Sequence, residues 1–147
     1  MSRLVTISTS SFPLLDTGQR ATVERNRTVA VDLATEAGER GSDMFALPET
    51  FSDMHSMGGA DETPKFAEPI PGPTSDALSQ VAKRYGMYIL CPIHYLEPDG
   101  TVRNTCAILD RRGDVVGMHH KTHPMMVESQ DASIKPGKDI PVFSCGA

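Results

Sequence analysis

Met44-Phe45-Ala46-Leu47 is an apolar run too short for a helix, and Pro48 closes it at once. The segment ahead of it carries the opposite signature. From Gln19 to Arg40, Val23, Ala30, Ala34 and Ala37 fall on one helical stripe with Leu33 beside it. Glu24, Arg27, Glu36 and Arg40 cover the remaining faces. Asp16 or Thr17 suits the helix start, and Gly38 or Gly41 its end. Leu4 to Ser8 is a short β-branched run that reads as a buried strand. Strand, helix, strand is the opening of an α/β layer fold, with Glu49 just past the C-terminal end of the second strand. Open α/β sheets place their ligands at that edge.

The stretch from Ser52 to Pro73 is rich in Gly, Pro, Met and acidic residues and has no period; a loop of that length is functional or mobile. Thr74 or Ser75 is the candidate N-cap of a second helix, Asp76 to Tyr85, with Leu78, Val81 and Ala82 inward and Gly86 as C-cap. Met87 to Tyr95, Val102 to Asp110 and Val115 to His119 read as three strands. Turns at Pro98-Asp99-Gly100 and Arg111-Arg112-Gly113-Asp114 join them, so part of the sheet is antiparallel. Ile140 to Phe143 reads as a last short strand.

With 147 residues the chain is one domain, 1–147. A net charge of −5 without a Lys/Arg run argues against nucleic acid, and no apolar run has membrane-spanning length. Three cysteines without a C-x-x-C pair argue against a disulfide framework and fit a reducing cytoplasm.

Two ionisable residues follow candidate strands. Glu49 in a partly apolar crevice would serve as a general base; at a solvated loop start it would be an ordinary surface carboxylate. Lys121 could stabilise a developing oxyanion or simply sit on a surface turn. Glu128, seven residues on, is either a second acid of the same pocket or an exposed loop residue. His119 and His123 are spaced i,i+4, but that spacing converges on a metal only on a helix, and Val115 to His119 reads as strand. These histidines and His120 are expected to pack on the loop holding Lys121. Cys91 and Cys106 read as small core residues, and Cys145 has no helix start after it to activate a thiolate.

Met44-Phe45-Ala46-Leu47-Pro48-Glu49-Thr50-Phe51, Pro69-Ile70-Pro71-Gly72-Pro73, Arg103-Asn104-Thr105, His120-Lys121-Thr122-His123-Pro124 and Lys135-Pro136-Gly137 occur in that order. As an ordered set they resemble the nitrilase superfamily, the carbon–nitrogen hydrolases. The resemblance implies an α-β-β-α sandwich, of which this chain is the N-terminal half. It also implies a Glu-Lys-Cys triad acting without metal or cofactor on small amides, carbamoyl compounds or nitriles. By motif match Glu49 would be the general base and Lys121 the stabiliser of the tetrahedral intermediate. Many members use a second glutamate before the Pro-Gly turn; Glu128 is the only glutamate there, although the usual offset falls nearer Gln130. The cysteine nucleophile would follow a later strand and is expected to be absent, leaving the chain inactive alone. The complete protein is expected to be a cytoplasmic homo-oligomer. The alternative is a non-catalytic binding or assembly module, or a degenerate subunit of the same fold.

Overall fold

The computed structural model describes residues 4–11, 23–53 and 60–145. Five strands form one mixed sheet in chain order: β1 (Ile7–Thr9), β2 (Met44–Ala46), β3 (Tyr88–Leu96), β4 (Val102–Leu109) and β5 (Val115–His120). The first three are parallel, and β3, β4 and β5 form the two expected antiparallel hairpins. Because β5 runs in the same direction as β2, both chains leave the sheet at one edge, carrying Glu49 and Lys121 with them.

Two helices, α1 (Val23–Glu39) and α2 (Pro73–Tyr85), cover one face. The small side chains of Ala30, Ala34 and Ala37 let α1 approach closely, and Leu78, Val81 and Ala82 of α2 complete the layer. Opposite them, Phe45, Ile89, Cys91, Ile93, Ala107 and Leu109 are buried. These positions alternate along β3 and β4 as the pleat requires. Full burial of a side chain such as Leu78 contributes roughly 2 kcal/mol. Arg27 ties the helices together by donating to Glu68 Oε1 (2.8 Å) and Thr74 Oγ1 (3.0 Å), while Glu68 Oε2 accepts the Thr74 N–H.

Helix ends follow local chemistry. Beyond Glu39, Gly41 takes φ +77° while Ser42 N–H bonds Ala37 O, so the candidate glycine is the one just past the helix. The start of α2 lies earlier than Thr74 or Ser75. Gly72 is the N-cap and Pro73 the first helical residue, whose missing N–H would be unpaired there anyway. Ser75 Oγ accepts from Gly72 N (2.8 Å), so Ser75 acts inside the first turn, not as the cap. The Asp16 and Thr17 caps and residues 19–22 of the expected helix lie outside the described residues.

Two expected strands differ. Leu4 to Ser8 is not a buried strand: β1 is an edge strand, with Leu4, Val5 and Ile7 at 94%, 62% and 61% exposure. Residues 140–143 form no strand; Ile140 and Val142 are exposed, and Phe143 lays its ring against Gly117 of β5. A β-branched run becomes a buried strand only when neighbouring chain pairs with it and covers it, and neither condition is local. Among its described residues the long loop contains a short 3₁₀ turn, Thr63–Lys65, and Glu68 bridges to Tyr95.

Candidate active site

Glu49 leaves β2 on a tightly held turn. Leu47 N–H bonds Leu90 O, and Phe51 is fully buried two residues after Glu49. Thr50 between them has φ +48°, a strained conformation for a β-branched residue. Asn26 of α1 donates to Ser52 O (3.0 Å), and the buried Asp53 carboxylate meets His94 Nδ1. The turn is therefore fastened to both layers of the fold.

Lys121 directly follows β5. Its N–H bonds Asn104 O (2.8 Å), and its carbonyl accepts from Gly137 N (2.9 Å). A Cβ at Gly137 would sit 2.4 Å from His120 O, so the Lys135-Pro136-Gly137 turn can close on the strand end only with glycine there. Arg103 steadies the same turn by donating to Pro136 O and to Glu97 Oε1.

The side chains converge. Lys121 Nζ donates to Glu49 Oε1 at 2.7 Å and to Glu128 Oε2 at 2.8 Å. Glu128 belongs on Lys121 despite its offset, because a π-helical turn over Val127–Asp131 swings it inward, while Gln130 is exposed. It is 4% exposed and also accepts from Met125 N (2.6 Å) and Asn104 Nδ2 (2.8 Å). Asn104 Nδ2 donates to Glu49 Oε1 as well (2.7 Å). Both bonds to Glu49 fall on one oxygen, so Oε2 has no hydrogen-bond partner among the described residues.

The electrostatics divide the roles. Burial pulls the Lys121 ammonium down, but the bonds and charges of Glu128 and Glu49 outweigh it, holding Lys121 above the ordinary lysine range. Burial likewise pushes the Glu128 carboxyl up. The bonds from Lys121, Asn104 and Met125 N–H reverse it and leave Glu128 below the usual range. A fixed cation is thus held beside a fixed anion.

A cavity of 320 Å³ opens over this cluster, lined by Glu49, Pro92, Asn104, Cys106, His119, Lys121, Thr122 and His123. Small-molecule sites span roughly 300–1,000 Å³. Cys106 is half-buried and faces this cavity, so it is not the core residue expected; burial pushes its thiol up to about 11, and it is not an activated nucleophile. Cys91 is fully buried and its thiol is pushed up further. Cys145 is exposed, and all three cysteines are free. His120 Nδ1 pairs with Thr105 Oγ1 (2.8 Å) across the β4–β5 hairpin, a bond to the neighbouring strand and not to the loop holding Lys121. Among the described residues no cluster of His, Cys, Asp and Glu could hold a metal, and no helix is long and apolar enough to cross a membrane. Asn104 is the residue that site reasoning from sequence missed. It appeared only within the Arg103-Asn104-Thr105 motif, and a buried amide on a strand has no periodic signal.

The carbon-nitrogen hydrolase family model matches residues 14–147. The chain belongs to the carbon–nitrogen hydrolases. An omega-amidase of Xenopus tropicalis is 34% identical over 125 residues, which are 80% of this chain and 44% of the relative. The human omega-amidase is 30% identical over the same length and shares. This carbon–nitrogen hydrolase chain therefore spans less than half the length of the curated relatives it matches. Among solved structures, an amidase from Nesterenkonia sp. aligns with TM-score 0.64 and 20% identity, over 87% of this chain and 48% of that one. The NitFhit protein of C. elegans aligns with TM-score 0.67 and 21% identity, over 93% and 33%. At these identities the likeness is one of fold: the helix-covered sheet is the layer pair these structures share, and the expected half of an α-β-β-α sandwich.

Proposed function

We propose that residues 1–147 supply the proton-transfer and charge-stabilising half of an amidase site, acting on a small-molecule amide by a Glu-Lys-Cys mechanism. The observation that carries this reading is Lys121 Nζ, bracketed at 2.7 and 2.8 Å by Glu49 and Glu128, with Glu49 Oε2 unpaired among the described residues. Glu49 Oε2 takes the proton of an incoming thiol, and the thiolate attacks the amide carbonyl. Negative charge then gathers on the carbonyl oxygen, where the Lys121 ammonium stabilises it without giving up its proton. Glu49 returns the proton to the leaving nitrogen, ammonia departs, and a thioester remains. Water, deprotonated by Glu49, attacks the thioester; the acid leaves and the thiol regains its proton. Glu128 never titrates in this scheme and serves to hold Lys121.

Neither Cys91 nor Cys106 is suited to supply the thiol, and Cys145 follows a segment that joins no strand. We therefore assign the nucleophile to the part of the protein corresponding to the remaining length of the relatives, and infer that residues 1–147 alone do not turn over. An amide substrate is favoured over carbamoyl or nitrile compounds because the matched relatives are named omega-amidases. Three free thiols fit a cytoplasmic enzyme, and the exposed β1 edge fits an assembly of several chains. Ammonia release from small amide, carbamoyl and nitrile compounds, measured on the full-length gene product, tests the reading. The expected result is turnover of amides that Lys121→Ala lowers by about a thousandfold. Absence of turnover on all three classes by folded full-length protein would instead support a binding or assembly module.

A further inference from the structure

We propose that Asn104 is the positioning residue of this site: its amide nitrogen, donating to Glu49 and Glu128 at once, fixes the gap between the two carboxylates in which Lys121 is held. The inference rests on the reading of Glu49 and Lys121 as the working pair and assigns the residue that sets their geometry.

Asn104 Nδ2 carries two N–H donors, and each has one target: Glu49 Oε1 at 2.7 Å and Glu128 Oε1 at 2.8 Å. Lys121 Nζ reaches the same two carboxylates from the other side. The four side chains thus close a ring in which donors and acceptors alternate. Two carboxylates brought this close repel each other, and among the described residues only Asn104 and Lys121 bond both. Glu128 has a further anchor in Met125 N–H, whereas Glu49, with its side chain 59% exposed, has no other side-chain partner there. Without Asn104 the Glu49 carboxylate would be tethered by a flexible lysine alone.

The placement of Asn104 suits that task. It is 5% exposed on the middle strand of two hairpins, opposite His94 on β3, and its own carbonyl accepts the Lys121 N–H. Arg103 and Thr105 on either side hold the Pro136-Gly137 turn and His120. A buried amide is costly unless its donors are satisfied, and both donors of this one are spent on the two candidate site carboxylates. A residue needed for packing alone at this strand position would be apolar.

Asparagine and aspartate have nearly the same shape, which separates positioning from packing. The test follows the Glu128 carboxyl and the Lys121 ammonium by side-chain NMR titration in the protein and in Asn104→Asp and Asn104→Ser, with Glu128→Gln assigning the signal. The expected result is an upward move of the Glu128 midpoint in both variants. The move should be larger for Asn104→Asp, which replaces a donor with another negative charge. If Asn104→Asp does not fold, the upward move in Asn104→Ser carries the same expectation. Unchanged midpoints in a folded variant would overturn the proposal, and so would loss of the fold in both variants, since Asn104 would then be a core residue first. No turnover is needed for this measurement. Absence of amidase activity would sink the functional reading and leave this result standing; unchanged titrations would do the reverse.

Discussion

Replacing Lys121 by methionine keeps the length of the side chain and removes its charge. Glu128 would then be a buried carboxylate, its side chain only 5% exposed, that has lost one of its three donors among the described residues and the one cation among them that pairs with it. A hydrogen bond to a charged partner contributes roughly 1.5–3 kcal/mol. The Lys121 side chain is 26% exposed, so water replaces part of that bond, and about 2 kcal/mol is the expected loss at neutral pH. For a chain of this size that lowers Tm by about 4–8 °C. Glu128→Gln alone should cost about 1 kcal/mol, because Lys121 keeps Glu49 and its partial exposure to water. The double variant removes the orphaned charge together with its partner, so it should be more stable than the sum of the single losses by about 1–2 kcal/mol. Urea unfolding of the four proteins at one pH gives the cycle. Losses that simply add would show that the Lys121–Glu128 contact is not coupled in solution and would refute the argument.

Further outcomes follow from other residues. The folded carboxyl of Glu128 lies below its unfolded value, so its contribution to stability is present above the ordinary carboxylate range and is lost as pH falls through the folded value. Glu128→Gln should flatten that part of the stability-versus-pH curve in urea titrations, and an unchanged acid limb would count against the carboxylate being ionised. With its thiol near 11, Cys106 should react with iodoacetamide at pH 7.5 at least tenfold more slowly than exposed Cys145, read by peptide mass spectrometry. Comparable rates would show an accessible, activated Cys106. Thr50→Gly should stabilise the fold by about 0.5–1 kcal/mol in urea unfolding, since glycine takes φ +48° without strain; a destabilised variant would show that Thr50 contributes contacts worth more than its strain costs.

Much of this arrangement was legible because it depends on short-range patterns. Alternation in β3 and β4, turn residues between them, and the alanine stripe of α1 each act over a few residues. The meeting of Glu49 with Lys121 followed from one topological fact, that both leave the sheet at the same edge. What was hidden depends on contacts between distant segments. The inward swing of Glu128 comes from a π-helical turn anchored by the burial of Ala132 and Ile134, which no local propensity announces. The exposure of β1 and the failure of residues 140–143 to pair are set by what lies beside them, not by their own composition. Cys106 read as core because its strand is apolar; its face of the sheet is the one the helices leave uncovered.

The most direct test of the account is the effect of Glu49→Gln on amide hydrolysis by the full-length gene product. Glutamine keeps the shape and an oxygen able to accept from Lys121 and Asn104, so the fold and the surrounding ring should persist while the base is gone. The predicted result is a fall in kcat/KM of about a thousandfold or more, with far-UV circular dichroism and Tm close to the parent. Near-parental hydrolysis by a folded Glu49→Gln protein would contradict the account at its centre.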